Sequence, residues 1–117
     1  MAIRLALSDK HRRGATSEAV IALALVSDGF HIFHQLFRGT GPIDIVAVHP
    51  DTKDVLMVDV KSETSRPLPN RPNIYRVARV RSAIQKQLGV RFCYVARDGS
   101  LRWVPKLPET LSRRLGQ

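Results

Sequence analysis

Three acidic residues and one lysine hold unusual places in this sequence of 117 residues. Glu18 lies in a stretch where no further charge follows until Asp28. Asp44 is the second residue of an otherwise aliphatic run, Ile43 to Val48, and Asp59 and Lys61 close the next run, Val55 to Lys61. Asp is depleted in strands, and an aliphatic strand suggests burial on both faces. A carboxylate there must be paired, hold a metal, or sit at the rim of the sheet. Asp59 and Lys61, two apart, share one strand face. A four-residue turn over Pro50 to Lys53 places Asp44 opposite Asp59, whereas a one-residue slip sends it to the other face. Two carboxylates side by side repel unless a cation lies between them. Mg²⁺ suits such a pair, because it takes a few carboxylate oxygens together with water and phosphate oxygens. Lys61 would then orient or deprotonate an attacking water, or neutralise a scissile phosphate. Glu18 would complete the metal shell from a neighbouring helix.

The elements that must position these residues follow from pattern. Arg13 to Asp28 is rich in Ala and Leu, lacks Pro and ends at Gly29, which predicts a helix. Ala19 to Val26 is apolar on every side, so burial on more than one face is expected, by the sheet or by a second subunit. His31 to Phe37, Ile43 to Val48 and Val55 to Lys61 read as strands, the last two as an antiparallel hairpin. Ser65 to Pro72 reads as an extended loop, and Asn73 to Leu88 as a helix capped by Asn73 and stopped at Gly89. Arg91 to Arg97 and Leu101 to Val104 form a second hairpin around Asp98-Gly99, and Pro108 to Leu115 a short terminal helix. The core order is αβββαβ.

Gly41-Pro42-Ile43-Asp44 and Asp59-Val60-Lys61, with Glu18 on the preceding helix, resemble the PD-(D/E)xK nuclease superfamily. Among its branches the chain is most similar to the archaeal-type and phage Holliday-junction resolvases. Those open with a basic-Gly-x-x-x-Glu segment, matched by Arg12-Arg13-Gly14-Ala15-Thr16-Ser17-Glu18, and carry a small hydroxyl residue in the loop before the Asp, matched by Thr40. They usually have Glu where this chain has Asp59, and the superfamily accepts either. The resemblance implies one α/β domain over 1–117, core about 10–104, with a restriction-endonuclease-like mixed sheet flanked by helices. It implies a magnesium-dependent endodeoxyribonuclease acting on branched DNA, with Mn²⁺ as a substitute ion. Asp44, Asp59, Glu18 and the backbone carbonyl of Val60 would hold the metal, with Lys61 assisting. A homodimer is expected, because a four-way junction offers two equivalent strands to cut. The alternatives are another nuclease of the superfamily, in repair, restriction or homing, or a non-catalytic DNA-binding module of the same fold.

Charge points to the same partner. The formal net charge is +9, yet residues 1–62 hold 7 basic and 7 acidic residues while residues 63–117 hold 12 and 3. That imbalance favours a polyanion, most often nucleic acid. Arg71, Arg76 and Arg79 lie on or before the second predicted helix, where Arg76 and Arg79 would share a face. Arg12 and Arg13 precede Glu18, Arg38 and Thr40 precede Asp44, and Arg66 follows the Asp-x-Lys strand. All are candidate phosphate contacts, which set affinity without reading sequence. No apolar run of about 18 residues is present, so no membrane-spanning helix is expected. The single cysteine excludes a disulfide framework, and a reducing cytoplasmic setting is the default, in a nucleoid or a phage-infected cell. Cys93, Tyr75 and Trp103 read as core. His31 and His34 cannot share a metal from one strand, and His11 and His49 lack obvious partners.

Overall fold

In the computed structural model, Ala/Leu-rich sequence forms a helix of 20 residues, α1 (Asp9–Asp28). The structure describes residues 9–34, 41–63, 65–67, 74–76 and 79–116, with backbone alone at 9–15, 65–67 and 74–76. Helix α1 begins ahead of the predicted Arg13. It buries Ile21 and Leu25 completely, one turn apart on a single face, while Leu23 is 69% and Val26 53% exposed. The apolar stretch is therefore enclosed on one face within this chain, not on several. Burying each of those two side chains contributes about 1.5–3 kcal/mol.

The helix ends in a Schellman turn. The Phe30 N–H reaches the Leu25 carbonyl at 3.0 Å and the Gly29 N–H reaches Val26 at 3.0 Å. Gly29 takes φ +107°, and a Cβ there would come 2.9 Å from His49 Nε2. His49 is buried and anchors this corner. Its Nδ1 accepts from the Asp51 and Thr52 amides, so Nε2 carries the proton and donates to the Asp28 carbonyl at 2.9 Å. Its ring also meets Phe30 edge-on. Gly29→Ala is expected to cost about 1–3 kcal/mol, from the left-handed backbone and the histidine's displacement together. A denaturant midpoint that does not move would contradict this.

The strands β1 (His31–His34), β2 (Ile45–Val48) and β3 (Val55–Ser62) pair antiparallel in sequence. His49 and Asp54 close the β2–β3 hairpin through an N–H···O bond of 2.9 Å, leaving Pro50 to Lys53 as a four-residue turn. The register pairs Ile45 with Val58, so Asp44 stands level with Asp59, as that turn length requires.

After β3 the structure departs from the sequence reading. Residues expected in an extended loop and the first turns of a helix instead pair as β4 (Ser65–Pro67) and β5 (Ile74–Arg76), a separate two-stranded sheet. Helix α2 spans only Ala83–Leu88. The reason is local. Ile74, Val77 and Val80 are β-branched, which disfavours helix, and Ser82 with Gln85 forms a capping box that starts the helix there. Gly89 ends α2 in the left-handed conformation, as expected.

Strand β6 (Arg91–Val95) then pairs parallel with β3, and β7 (Leu101–Val104) pairs antiparallel with β6. The main sheet has five strands in the order β1-β2-β3-β6-β7. It is a mixed α/β core, a five-stranded sheet flanked by helices, as the sequence predicts. Ile45, Ala47, Leu56, Val58, Cys93, Val95 and Trp103 face α1, together with Leu107 and with Leu111 of α3 (Glu109–Arg114). Arg114 ties α3 to the rest by bridging Asp28 at 2.7 Å and Asp54 at 3.1 Å. By strand alternation Asp59, Lys61 and Phe92 lie on the opposite face, where α2 packs.

Candidate active site

Asp44 sits just ahead of β2. Its N–H continues the ladder to the Val58 carbonyl at 2.8 Å, which fixes the backbone. Its side chain then accepts the Val60 N–H at 2.7 Å, between Asp59 and Lys61. One carboxylate thus takes the place of a ladder carbonyl and is held in the rim of the sheet. Asp59 is held at both oxygens. Lys61 Nζ lies 3.3 Å from Oδ1, and Gln85 Nε2 donates to Oδ2 at 2.7 Å. Lys61 Nζ also sits 5.3 Å from the centre of the Phe92 ring, so the ammonium rests between a carboxylate and an aromatic face.

The site is electrostatically loaded. The Asp44 carboxyl is pushed up to about 6, first by burial, and the Val60 N–H opposes the rise. Asp59, close enough to share a hydrogen bond, and the negative Glu18 on α1 raise it further. Glu18 is half-buried and is placed by its neighbour. Ser17 is buried, and its hydroxyl meets that of Ser62, at the end of β3, at 2.8 Å. Glu18 therefore acts on Asp44 by charge. Among the described residues no three acidic, histidine or cysteine side chains converge as a ready-made metal cluster. The donor set still fits a hard cation. Two adjacent carboxylates with a third negative charge nearby are what Mg²⁺ takes when water supplies its remaining ligands.

Gln85 is a site residue that the sequence does not announce. It is buried, and its amide serves three groups at once. Its Oε1 accepts the Ser82 N–H at 2.9 Å, while Nε2 donates both to Asp59 and, at 3.1 Å, to the Pro42 carbonyl. The capping-box residue of α2 thereby orients one carboxylate and pins the backbone leading to the other. The Ser-x-x-Gln signature is the available signal, but it marks a helix start and not a destination. Gln85→Leu keeps the volume and removes both donors. Loss of such an orienting partner typically costs 10–100-fold, so whatever chemistry Asp59 supports should fall by about that factor with the chain still folded. A wild-type rate in single-turnover assays would show that Asp59 needs no such partner.

Pro42, Asp59, Lys61 and Gln85 line a cleft of about 470 Å³ that also includes Gly41, Arg79, Val80, Ser82, Ile84 and Phe92. The fold is similar to that of a homing endonuclease. The solved structure of a bacterial homing endonuclease, I-Ssp6803I, matches with a TM-score of 0.55 over 94% of this chain and 74% of that one, at 14% identity. No family of known proteins and no individual curated protein matches by sequence.

Within this endonuclease-like fold the structure gathers Asp44, Asp59 and Lys61 and sets Glu18 within electrostatic reach of Asp44. Val60 lies between them, on a strand paired to β6 at Cys93. Arg79 is exposed at the cleft and its backbone N–H reaches the Tyr94 hydroxyl at 3.2 Å. It shares no helical face with Arg76, because neither lies on a helix; Arg76 belongs to β5. Arg12 and Arg13 lie on α1 and Arg66 on β4, described by backbone alone. Arg38, Thr40 and Arg71 lie outside the described residues. Cys93 is fully buried and its thiol is pushed up by that burial, so it is packing and not chemistry. Trp103 is likewise core.

Proposed function

We propose that this chain is a metal-dependent endonuclease that hydrolyses phosphodiester bonds in DNA, with branched DNA as its favoured substrate. The observation that carries the reading is the convergence of Asp44, Asp59 and Lys61 at one end of the β2–β3 ladder, in a nuclease-like fold. A bound Mg²⁺ or Mn²⁺, held by Asp44 and Asp59 with Glu18 behind them, would lower the pKa of a ligating water and offset charge developing on the phosphate. The protein's own contributions are distinct. Lys61 supplies a cation beside the scissile phosphate and a donor that orients water. Asp59 keeps that ammonium in place, and Gln85 keeps Asp59 in place. The basic half of the chain supplies phosphate contacts, with Arg79 lining the cleft itself.

The branched-DNA preference rests on the Arg12-to-Glu18 segment and the small basic chain, and it carries with it a homodimer, two sites serving two strands. The fold neighbour favours a second reading, a homing-type nuclease that cuts linear duplex. A digestion panel separates them: four-way junction, flap, single strand and linear duplex, each with Mg²⁺, Mn²⁺, Ca²⁺ or excess EDTA, beside light scattering for mass. Junction-selective cleavage by a dimer supports the first reading. Cleavage of linear duplex at least as fast, by a monomer, supports the second. Undiminished cutting in EDTA defeats both.

A further inference from the structure

The cleft that holds Asp59 and Lys61 is not uniformly polar. Its lining also includes two exposed aliphatic residues, Val80 and Ile84, which are 82% and 52% exposed. Single exposed apolar residues are ordinary, but these two belong to one cleft, with Arg79, Asp59 and Lys61. A phosphate backbone gives aliphatic groups nothing to bind. A nucleobase does, once it has left its stack, and apolar side chains beside cations are how proteins wedge open a base step. The cleft, about 470 Å³ and open to solvent, has room for a single base laid against its wall.

We propose that Val80 and Ile84 receive a nucleobase unstacked from the DNA next to the scissile phosphate, so that the enzyme selects DNA whose stack is already interrupted. This rests on the nuclease reading of the same cleft and adds how the substrate is chosen. In intact duplex the wedge must first break stacking. At a branch point, flap or mismatch that cost is reduced, because the step is already open. Arg79 holds the flanking phosphate while the aliphatic pair covers the base. Preference for branched DNA then comes from this wall and not from the metal chemistry.

The test is the pair Val80→Ser with Ile84→Ser, compared with Val80→Leu and Ile84→Leu. Both positions are solvent-exposed, so neither set removes core packing. Each set is made in the Asp59→Asn background to prevent turnover. The probes are a four-way junction carrying 2-aminopurine in the first base pair of one arm, and a linear duplex carrying it centrally. The parent should brighten the junction probe several-fold and bind it more tightly than the duplex. The serine pair should lose the brightening and reduce the junction-to-duplex affinity ratio by about tenfold, the effect of withdrawing a few buried methyl groups. The leucine pair should keep both. An unchanged ratio and brightening in the serine pair overturns the proposal, as does a change in molecular mass without a change in DNA binding, which would make the wall a protein interface. Because this readout needs only binding, its failure is separate from failure of the nuclease reading, which the wild-type digestion panel decides.

Discussion

Asp59→Asn is expected to slow phosphodiester cleavage by about 10³-fold or more, a loss of roughly 4 kcal/mol of transition-state stabilisation. DNA affinity should change by less than about fivefold, and toward tighter binding, because an anion has been removed beside a polyanion. The two carboxylate oxygens of Asp59 have separate partners. Oδ2 accepts from Gln85, and an Asn carbonyl in that position still accepts, so the local packing survives. The other oxygen becomes an amide facing the ammonium of Lys61, which now lacks its carboxylate partner. Both metal affinity and the placement of Lys61 are lost together. Lys61→Ala should cost about 10²–10³-fold by removing the cation while sparing the carboxylates. Single-turnover cleavage beside fluorescence anisotropy resolves chemistry from binding. An Asp59→Asn protein that cuts at the wild-type rate would remove this site from consideration.

The part of the site carried by strand periodicity is legible in the amino acids alone. Turn length fixes register, register fixes face, and Pro50 to Lys53 leaves Asp44 and Asp59 a single way to meet. The βββαβ order is legible for a similar reason, since aliphatic runs and turn residues punctuate it. What is not legible depends on contacts between residues far apart in the chain. Gln85 reaches Asp59 across 26 positions, and His49 reaches the carbonyl of Asp28 across 21. Neither partner is encoded by local spacing, and a buried amide or imidazole is chosen by what surrounds it. The second helix misleads for a different reason. Its arginines and alanines favour helix, but three β-branched residues and the Ser82 cap outweigh them, so the chain makes β5 and a helix of only 6 residues. With that helix goes the expected common face of Arg76 and Arg79. Electrostatics that span several elements are equally hidden. Sequence order sets Glu18 on the helix beside the sheet, but only the Ser17–Ser62 contact shows how α1 brings it to the aspartates.

Asp44→Asn should abolish cleavage and, at neutral pH, make the protein more stable. In the unfolded chain Asp44 titrates at the ordinary value of 3.8, and in the folded protein at about 6, chiefly because it is buried. The folded state therefore binds more protons between those values, and stability falls as pH rises through that window. Below about pH 4 both states are protonated and nothing is lost. Above about pH 6 both are ionised, and the folded protein carries a constant penalty shared with the adjacent Asp59; the shift corresponds to about 3 kcal/mol, which solvent screening of a half-buried carboxyl reduces to on the order of 1–2 kcal/mol. Asn has the same shape and no charge, and its carbonyl can still accept the Val60 N–H. The variant should thus melt several degrees higher than wild type at pH 7.5, with the gain shrinking to nothing near pH 4. Added Mg²⁺ or Mn²⁺ should raise the wild-type melting temperature and leave that of the variant nearly unchanged, because a cation relieves the same repulsion that Asn removes. Melting curves across pH, with and without metal, check each step without requiring activity. A less stable Asn variant at pH 7.5, or equal metal stabilisation of both proteins, would mean that the carboxylate is held for packing and not for a cation.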